Sequence, residues 1–215
     1  MSFTKRLLCL AAATAASVPM VMGTAQADDW SGYDGIEKYT AHLAPVTVNK
    51  SQASGTTTVW LDGDTARVRV EVDEILADHP HAQHIHIGGR GECPTDYDAG
   101  LHNGKRALST LDGLDAYGAV ETSLTTEGDT SASSGLAVDR FPTAPGGTIS
   151  YDRTFDLSQA AADAIRADNA VIVVHGIDYD GDGTYGDVLG ASELDPNLPM
   201  EATNPAACGP LHMAD

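Results

Sequence analysis

The sequence predicts an all-β domain, an antiparallel β-sandwich or barrel with two long loops and one short helix. Three observations lead there. Short stretches alternate polar and apolar residues with period two, the period at which strand side chains change face. Glycine-rich turns separate them, drawn from 22 glycines in 215 residues. One segment alone carries a helical pattern behind a capping serine. Aromatic residues make up only 6%, so the core must come from Val, Ile, Leu and Ala. The length suits one domain, taken as residues 28–215.

In chain order, residues 39–48 form a possible first strand. Residues 56–61 and 66–72 flank the turn Asp62-Gly63-Asp64 and read as a hairpin. In its second arm Val68, Val70 and Val72 face one way and Arg67, Arg69 and Glu71 the other, as in a half-buried antiparallel strand. Residues 81–87 form the next strand, and a loop rich in Gly and Asp covers 88–117. Further strands are predicted at 119–125, 135–138, 148–155 and 170–177. Residues 158–168 read as the helix, with Ser158 as N-cap before Ala160-Ala161-Ala162-Asp163-Ala164-Ile165. A second polar loop covers 178–207, and a short strand near 208–212 closes the chain. Loops of this length are uncommon in a compact domain unless they carry function.

Residues 1–27 read as a secretory signal peptide. Lys5 and Arg6 precede the apolar run 7–21, and Ala25-Gln26-Ala27 is a small-x-small cleavage site before Asp28. The run is too short and too rich in alanine for a good membrane span. Cys9 lies too near the start to be a lipid-anchored cysteine. The expected product is secreted. The formal net charge is −19, and removing Lys5 and Arg6 makes the chain more acidic still. Such a balance argues against nucleic acid and anionic membranes as main partners, since both select basic surface. No Gly-x-Ser-x-Gly turn offers a serine nucleophile, and no glycine loop after a strand offers a phosphate cradle.

The histidines carry the chemistry. Four cluster in His79-Pro80-His81-Ala82-Gln83-His84-Ile85-His86. His84 and His86 are two apart on a predicted strand, so their rings share a face, suited to one metal ion or else to a solvated polar surface. His79 and His81 have the other parity and are expected to face away. His102 lies in the first long loop. His175 follows Val171-Ile172-Val173-Val174 and precedes Gly176, at the exit of a central strand, where a buried imidazole needs a partner. Taken with His84, His86 and His102 it makes a convergent site of three or four imidazoles, a donor set for copper or zinc and not for calcium or magnesium. Cleavage at Ala27 removes Cys9 and leaves Cys93 and Cys208, which either pair or remain free thiols; in an exported protein pairing is commoner.

In this order the residues resemble the copper/zinc superoxide dismutase family. The match runs through His84-Ile85-His86, Cys93, Ala99-Gly100-Leu101-His102, Val173-Val174-His175-Gly176 and Ala207-Cys208-Gly209. The resemblance implies a Greek-key β-sandwich, copper held by His84, His86, His102 and His175, and a Cys93–Cys208 disulfide. It implies superoxide as the small-molecule substrate, and His102 as the catalytic ligand that leaves the metal on reduction and carries a proton. The family's zinc site uses further histidines after the bridging one, yet residues 103–174 contain none, so the resemblance is to a copper-only member. The arginine that the family keeps three residues before the second cysteine is Pro205 here. Arg90, Lys105 and Arg106 are candidate substitutes. The segment Gln83-His84-Ile85-His86-Ile87-Gly88 also resembles the secreted CHRD-domain family, which implies a strand-rich structural or interaction module in which the histidines need not converge; a metal-binding module without catalysis is the other alternative to a dismutase.

One further motif stands out. Asp178-Tyr179-Asp180-Gly181-Asp182-Gly183 has the opening of a calcium loop, but Leu189 occupies the position where an EF-hand needs glutamate. It reads as a partial calcium site or as an acidic turn.

Overall fold

Alternation sets the first strands as the sequence suggests. The computed structural model describes residue 30 and residues 35–214, so the signal-peptide reading lies outside the described residues. The strands are β1 (Glu37–Pro45), β2 (Ser54–Asp62), β3 (Thr65–Asp73), β4 (Gln83–Gly88), β5 (Gly100–His102), β6 (Lys105–Ala107), β7 (Gly118–Ser123), β8 (Ile149–Asp156), β9 (Ala170–His175), β10 (Pro205–Pro210) and β11 (His212–Met213). Three short helices accompany them: α1 (Leu114–Tyr117), α2 (Gln159–Arg166) and α3 (Met200–Thr203). The fold is all-β, and every strand pair is antiparallel.

One long curled sheet runs β7-β4-β9-β10-β1-β2-β3-β8, with β11 alongside β1. It has two halves. The strands β8, β3, β2 and β1 form one, and β7, β4, β9 and β10 the other. They join where Ala44 and Pro45 of β1 pair with Cys208 and Ala207 of β10. The chain crosses between halves from β3 to β4 and back from β7 to β8, in the Greek-key manner. Val68, Val70 and Val72 of β3 are fully buried and meet Ile85 of β4 and Ile172 and Val174 of β9 in the main core. Arg67, on the opposite face of β3, makes a two-pronged bond to Asp152 on β8. Gly55 must be glycine, because a Cβ there would lie 1.9 Å from the Glu71 carbonyl oxygen.

The helix α2 forms where expected. Ser158 Oγ accepts from the Ala161 N–H at 3.0 Å, a cap that contributes about 1 kcal/mol. Three expectations need correction. Residues 135–138 are not a strand: they are turn and irregular backbone that follow a short 3-10 helix at Ala132–Ser134. The first long loop holds the β5–β6 hairpin and the single turn α1, and the second ends before β10, which begins at Pro205. Among the described residues the α-helical content is therefore three short pieces, of which α2 alone is longer than four residues, and the remaining helix is single 3-10 turns.

A second, smaller apolar layer covers the outer face of the β9 half. Val171, Val173, Cys208, Tyr117, Leu108 and Val46 build it. The disulfide Cys93–Cys208 ties the first long loop to β10 across this layer, with Cα atoms 5.8 Å apart. Buried Asn49 fastens the same loop: its Nδ2 donates to the carbonyls of Leu108 and Pro205, and its Oδ1 accepts from the Leu108 N–H. Among the described residues no helix is long and apolar enough to cross a membrane.

Candidate metal centre

All six residues of β9 are buried, because the strand has a core on each side. Ala170, Ile172 and Val174 face the main core, and Val171 and Val173 face the outer layer. His175 shares the parity of the outer pair. On the neighbouring strand His84 sits opposite Val173 and His86 opposite Val171. The sequence spacing thus places three imidazoles on one sheet face. Ring centroids are 5.1 Å apart for His84–His175, 5.6 Å for His84–His86 and 5.8 Å for His86–His175. One ring nitrogen from each lies within 4.8 Å of one from each of the others. Nitrogens about 2.0–2.1 Å from a shared ion can stand at most about 4.2 Å apart, so small side-chain shifts close the group on one ion.

Each ring has one nitrogen engaged and one free. His84 Nε2 donates to the Gly135 carbonyl at 3.1 Å, His86 Nδ1 to that of Gly118 at 2.9 Å, and His175 Nδ1 to that of Thr203 at 2.7 Å. A carbonyl only accepts, so each bond fixes the proton on the engaged nitrogen and leaves a lone pair on the other. Those others, His84 Nδ1, His86 Nε2 and His175 Nε2, are buried without a partner. Three orphaned lone pairs in one apolar place are costly unless something is bound there. Main-chain acceptors behind metal-binding histidines are the usual means of orienting them.

Burial keeps the rings neutral. Desolvation, with repulsion from His175 and then His86, holds His84 well below the ordinary histidine value. Desolvation and then His175 lower His86 to about 3. Desolvation lowers His175 to about 4, against the opposing Thr203 bond. A neutral imidazole is the ligand form.

Neighbours lock the rings in place. Tyr117 packs edge-on to His86 at 4.6 Å and Phe141 edge-on to His84 at 5.4 Å. Gly118, at φ +87°, brings its carbonyl to His86; a Cβ there would lie 2.0 Å from the Ile87 oxygen. Gly176, at φ +101°, admits Tyr185 Oη and His81 Nδ1 where a Cβ would otherwise stand. His81 is fully buried outside the cluster, with Nδ1 2.8 Å from the His175 carbonyl and Nε2 2.8 Å from that of Leu76. His79 lies further out, against the Tyr185 ring.

The structure does not bring His102 to the other three imidazoles. Its Nε2 is bonded to Asp112 Oδ2 at 2.7 Å, and that oxygen also accepts from the N–H groups of Gly100 and Ser109. Burial pushes the Asp112 carboxyl up, but the Ser109, His102 and Gly100 bonds outweigh it and keep the group below its usual value. Cys93 and Cys208 form the disulfide. Pro205 opens β10, buried, and offers only its carbonyl, to Asn49. Arg90 pairs with Glu92, and Arg106 donates to the Asp96 carbonyl.

A cavity of about 260 Å³ adjoins His84 and His175, lined otherwise by Ala82, Thr110, Val120, Ala132, Gly135, Leu136, Leu194 and Thr203. None of these residues is charged. The acidic motif forms a separate exposed group: Asp178, Asp180 and Asp182 each offer an oxygen within 4.8 Å of the others, and the Asp178 carboxylate accepts from the N–H groups of Gly181, Asp182 and Gly183.

Sequence reasoning missed the three main-chain acceptors, the His102–Asp112 pair and the role of His81. The acceptors have no side-chain signature, although Gly118 and Gly135 are visible as glycines. The spacing of His81 from His84 was visible, but strand parity directed it away. Comparison with protein-family models and with curated proteins finds no match for this chain.

Proposed function

We propose that the chain is an exported, superoxide dismutase-like copper-binding protein whose ion is held by His84, His86 and His175. The observation that supports it is the set of three buried imidazoles, each with one nitrogen tied to a carbonyl and the other free. The donor set fits copper: imidazole suits it in an apolar shell, and three lone pairs leave a position open for a further ligand. When bound, copper would supply one-electron chemistry, which in the reading by resemblance converts two superoxide ions and two protons to oxygen and hydrogen peroxide. The chain's own part is to hold three rings neutral, to aim them through Gly135, Gly118 and Thr203, and to shield them with Tyr117 and Phe141. His102, with its proton fixed towards Asp112, stands outside that group and takes no part in holding the ion.

A second reading is metal binding without fast turnover. The uncharged cavity and Pro205 favour it, because an acidic protein needs local positive charge to draw in an anion. The same preparation decides between them. Protein loaded with one copper per chain is mixed with superoxide and its decay followed. Decay faster than with free protein supports the dismutase. Bound copper with no acceleration leaves the binding reading. Failure to take up copper stoichiometrically removes both.

A further inference from the structure

The cavity beside the imidazoles has a definite chemistry. Val120, Ala132, Leu136 and Leu194 give it apolar walls, and His84 and His175 line it too. Leu136 and Leu194 are 37% and 41% exposed, so they flank its opening. Its two hydroxyls are already engaged. Thr110 Oγ1 donates to the Thr203 carbonyl at 2.5 Å, and Thr203 Oγ1 lies 2.8 Å from Ser192 Oγ. Arg140, on the same loop as Leu136, directs its guanidinium to the carbonyls of Glu127 and Asp129 and to Ser134 Oγ. An anion entering here would give up its hydration for side-chain walls that supply neither charge nor a free donor, inside a protein of formal charge −19.

We propose that this cavity is the ligand pocket of the centre, and that in the metal-free protein it takes a small uncharged organic molecule, largely apolar and of substituted-benzene size, in preference to an organic anion. The volume sets the size: an apolar cavity of about 150 Å³ already holds benzene, and 260 Å³ leaves room for a substituent or two. The walls set the polarity, as in most small-molecule sites. His84 and His175, which belong both to the cavity wall and to the imidazole group, set the location. The assignment to a metal centre rests on the copper reading above; the preference for an uncharged occupant does not.

The test uses a pair of equal size and different charge, benzyl alcohol and benzoate, titrated into metal-free protein with labelled methyl groups. Benzyl alcohol is expected to shift the Val120, Leu136 and Leu194 methyl resonances saturably, with benzoate at least tenfold weaker. Leu136→Arg, or Leu194→Arg as a second surface variant, is expected to reverse that order. Equal binding of both probes by the unaltered protein, or no methyl shift with either, overturns the preference. In copper-loaded protein, saturating benzyl alcohol is expected to change the copper EPR spectrum. An unchanged spectrum overturns the assignment to the metal centre. Absence of copper binding overturns the metal reading and leaves the methyl result to stand on its own.

Discussion

The main-chain carbonyl of His175 lies 2.8 Å from His81 Nδ1, so the third imidazole of the cluster is held through its backbone by a histidine outside it. Gly176 makes room for this contact. His81→Ala removes the brace but none of the three ring ligands. The expected result is copper affinity weakened about 10–100-fold, the size typical of lost outer partners. His81→Gln, which can still donate, is expected to recover part of it. Competition titration against a chelator measures both. Unchanged affinity in the alanine variant would remove His81 from the account.

Copper is expected to raise the thermal midpoint of the unaltered protein. It relieves three buried lone pairs, and an ion at 1,000 times its dissociation constant stabilises by about 4 kcal/mol. His84→Ala, His86→Ala and His175→Ala are each expected to abolish the copper-dependent shift. Thermal unfolding with and without a saturating excess of copper is the measurement, and a shift that survives in all three variants would place the ion elsewhere.

Acid is expected to destabilise the metal-free protein between pH 6.5 and about 4. The folded-state values of His86 and His175 are lowered to about 3 and about 4, and that of His84 lies well below 6.5. Between those values and 6.5 the unfolded chain binds more protons than the folded one. Stability therefore falls with falling pH, by up to about 1.4 kcal/mol per pH unit for each such histidine. Below the folded values these rings are charged in both states and add no further slope. Urea midpoints at pH 7, 6 and 5 check it; a flat series contradicts neutral burial of the rings.

Reduction of Cys93–Cys208 opens a link between residues 115 apart in sequence. The chain-entropy treatment gives a loss of about 4–5 kcal/mol. The variant Cys93→Ser/Cys208→Ser is expected to match the reduced protein in urea midpoint and to show faster amide exchange in residues 93–108. Equal midpoints for oxidised and reduced protein would mean that the loop is held by other contacts, chiefly Asn49.

Much of this was legible in the sequence because of strand parity. The β2–β3 hairpin and the shared face of His84 and His86 follow from period two, and the two-sided burial of β9 from its unbroken apolar run. Residues 135–138 misled the same logic. Gly-Leu-Ala-Val looks like a strand, yet Leu136 lines the cavity mouth and no edge pairs with the segment. The strand expected near 208–212 begins earlier, at Pro205; that start was hidden because prolines open and close β10 and its register to β9 shifts between Pro205 and Ala207. The partner of His102 was hidden because Asp112 lies across a turn, ten residues on, in a stretch without periodicity.

Because three carbonyls and a neighbouring histidine aim the rings, the scaffold is expected to stand with or without an ion. A chelator should strip the protein and leave an intact socket, which refills on mixing without any refolding step. Such a vessel can trade its ion with surrounding carriers many times over, which a domain that collapses when emptied cannot do.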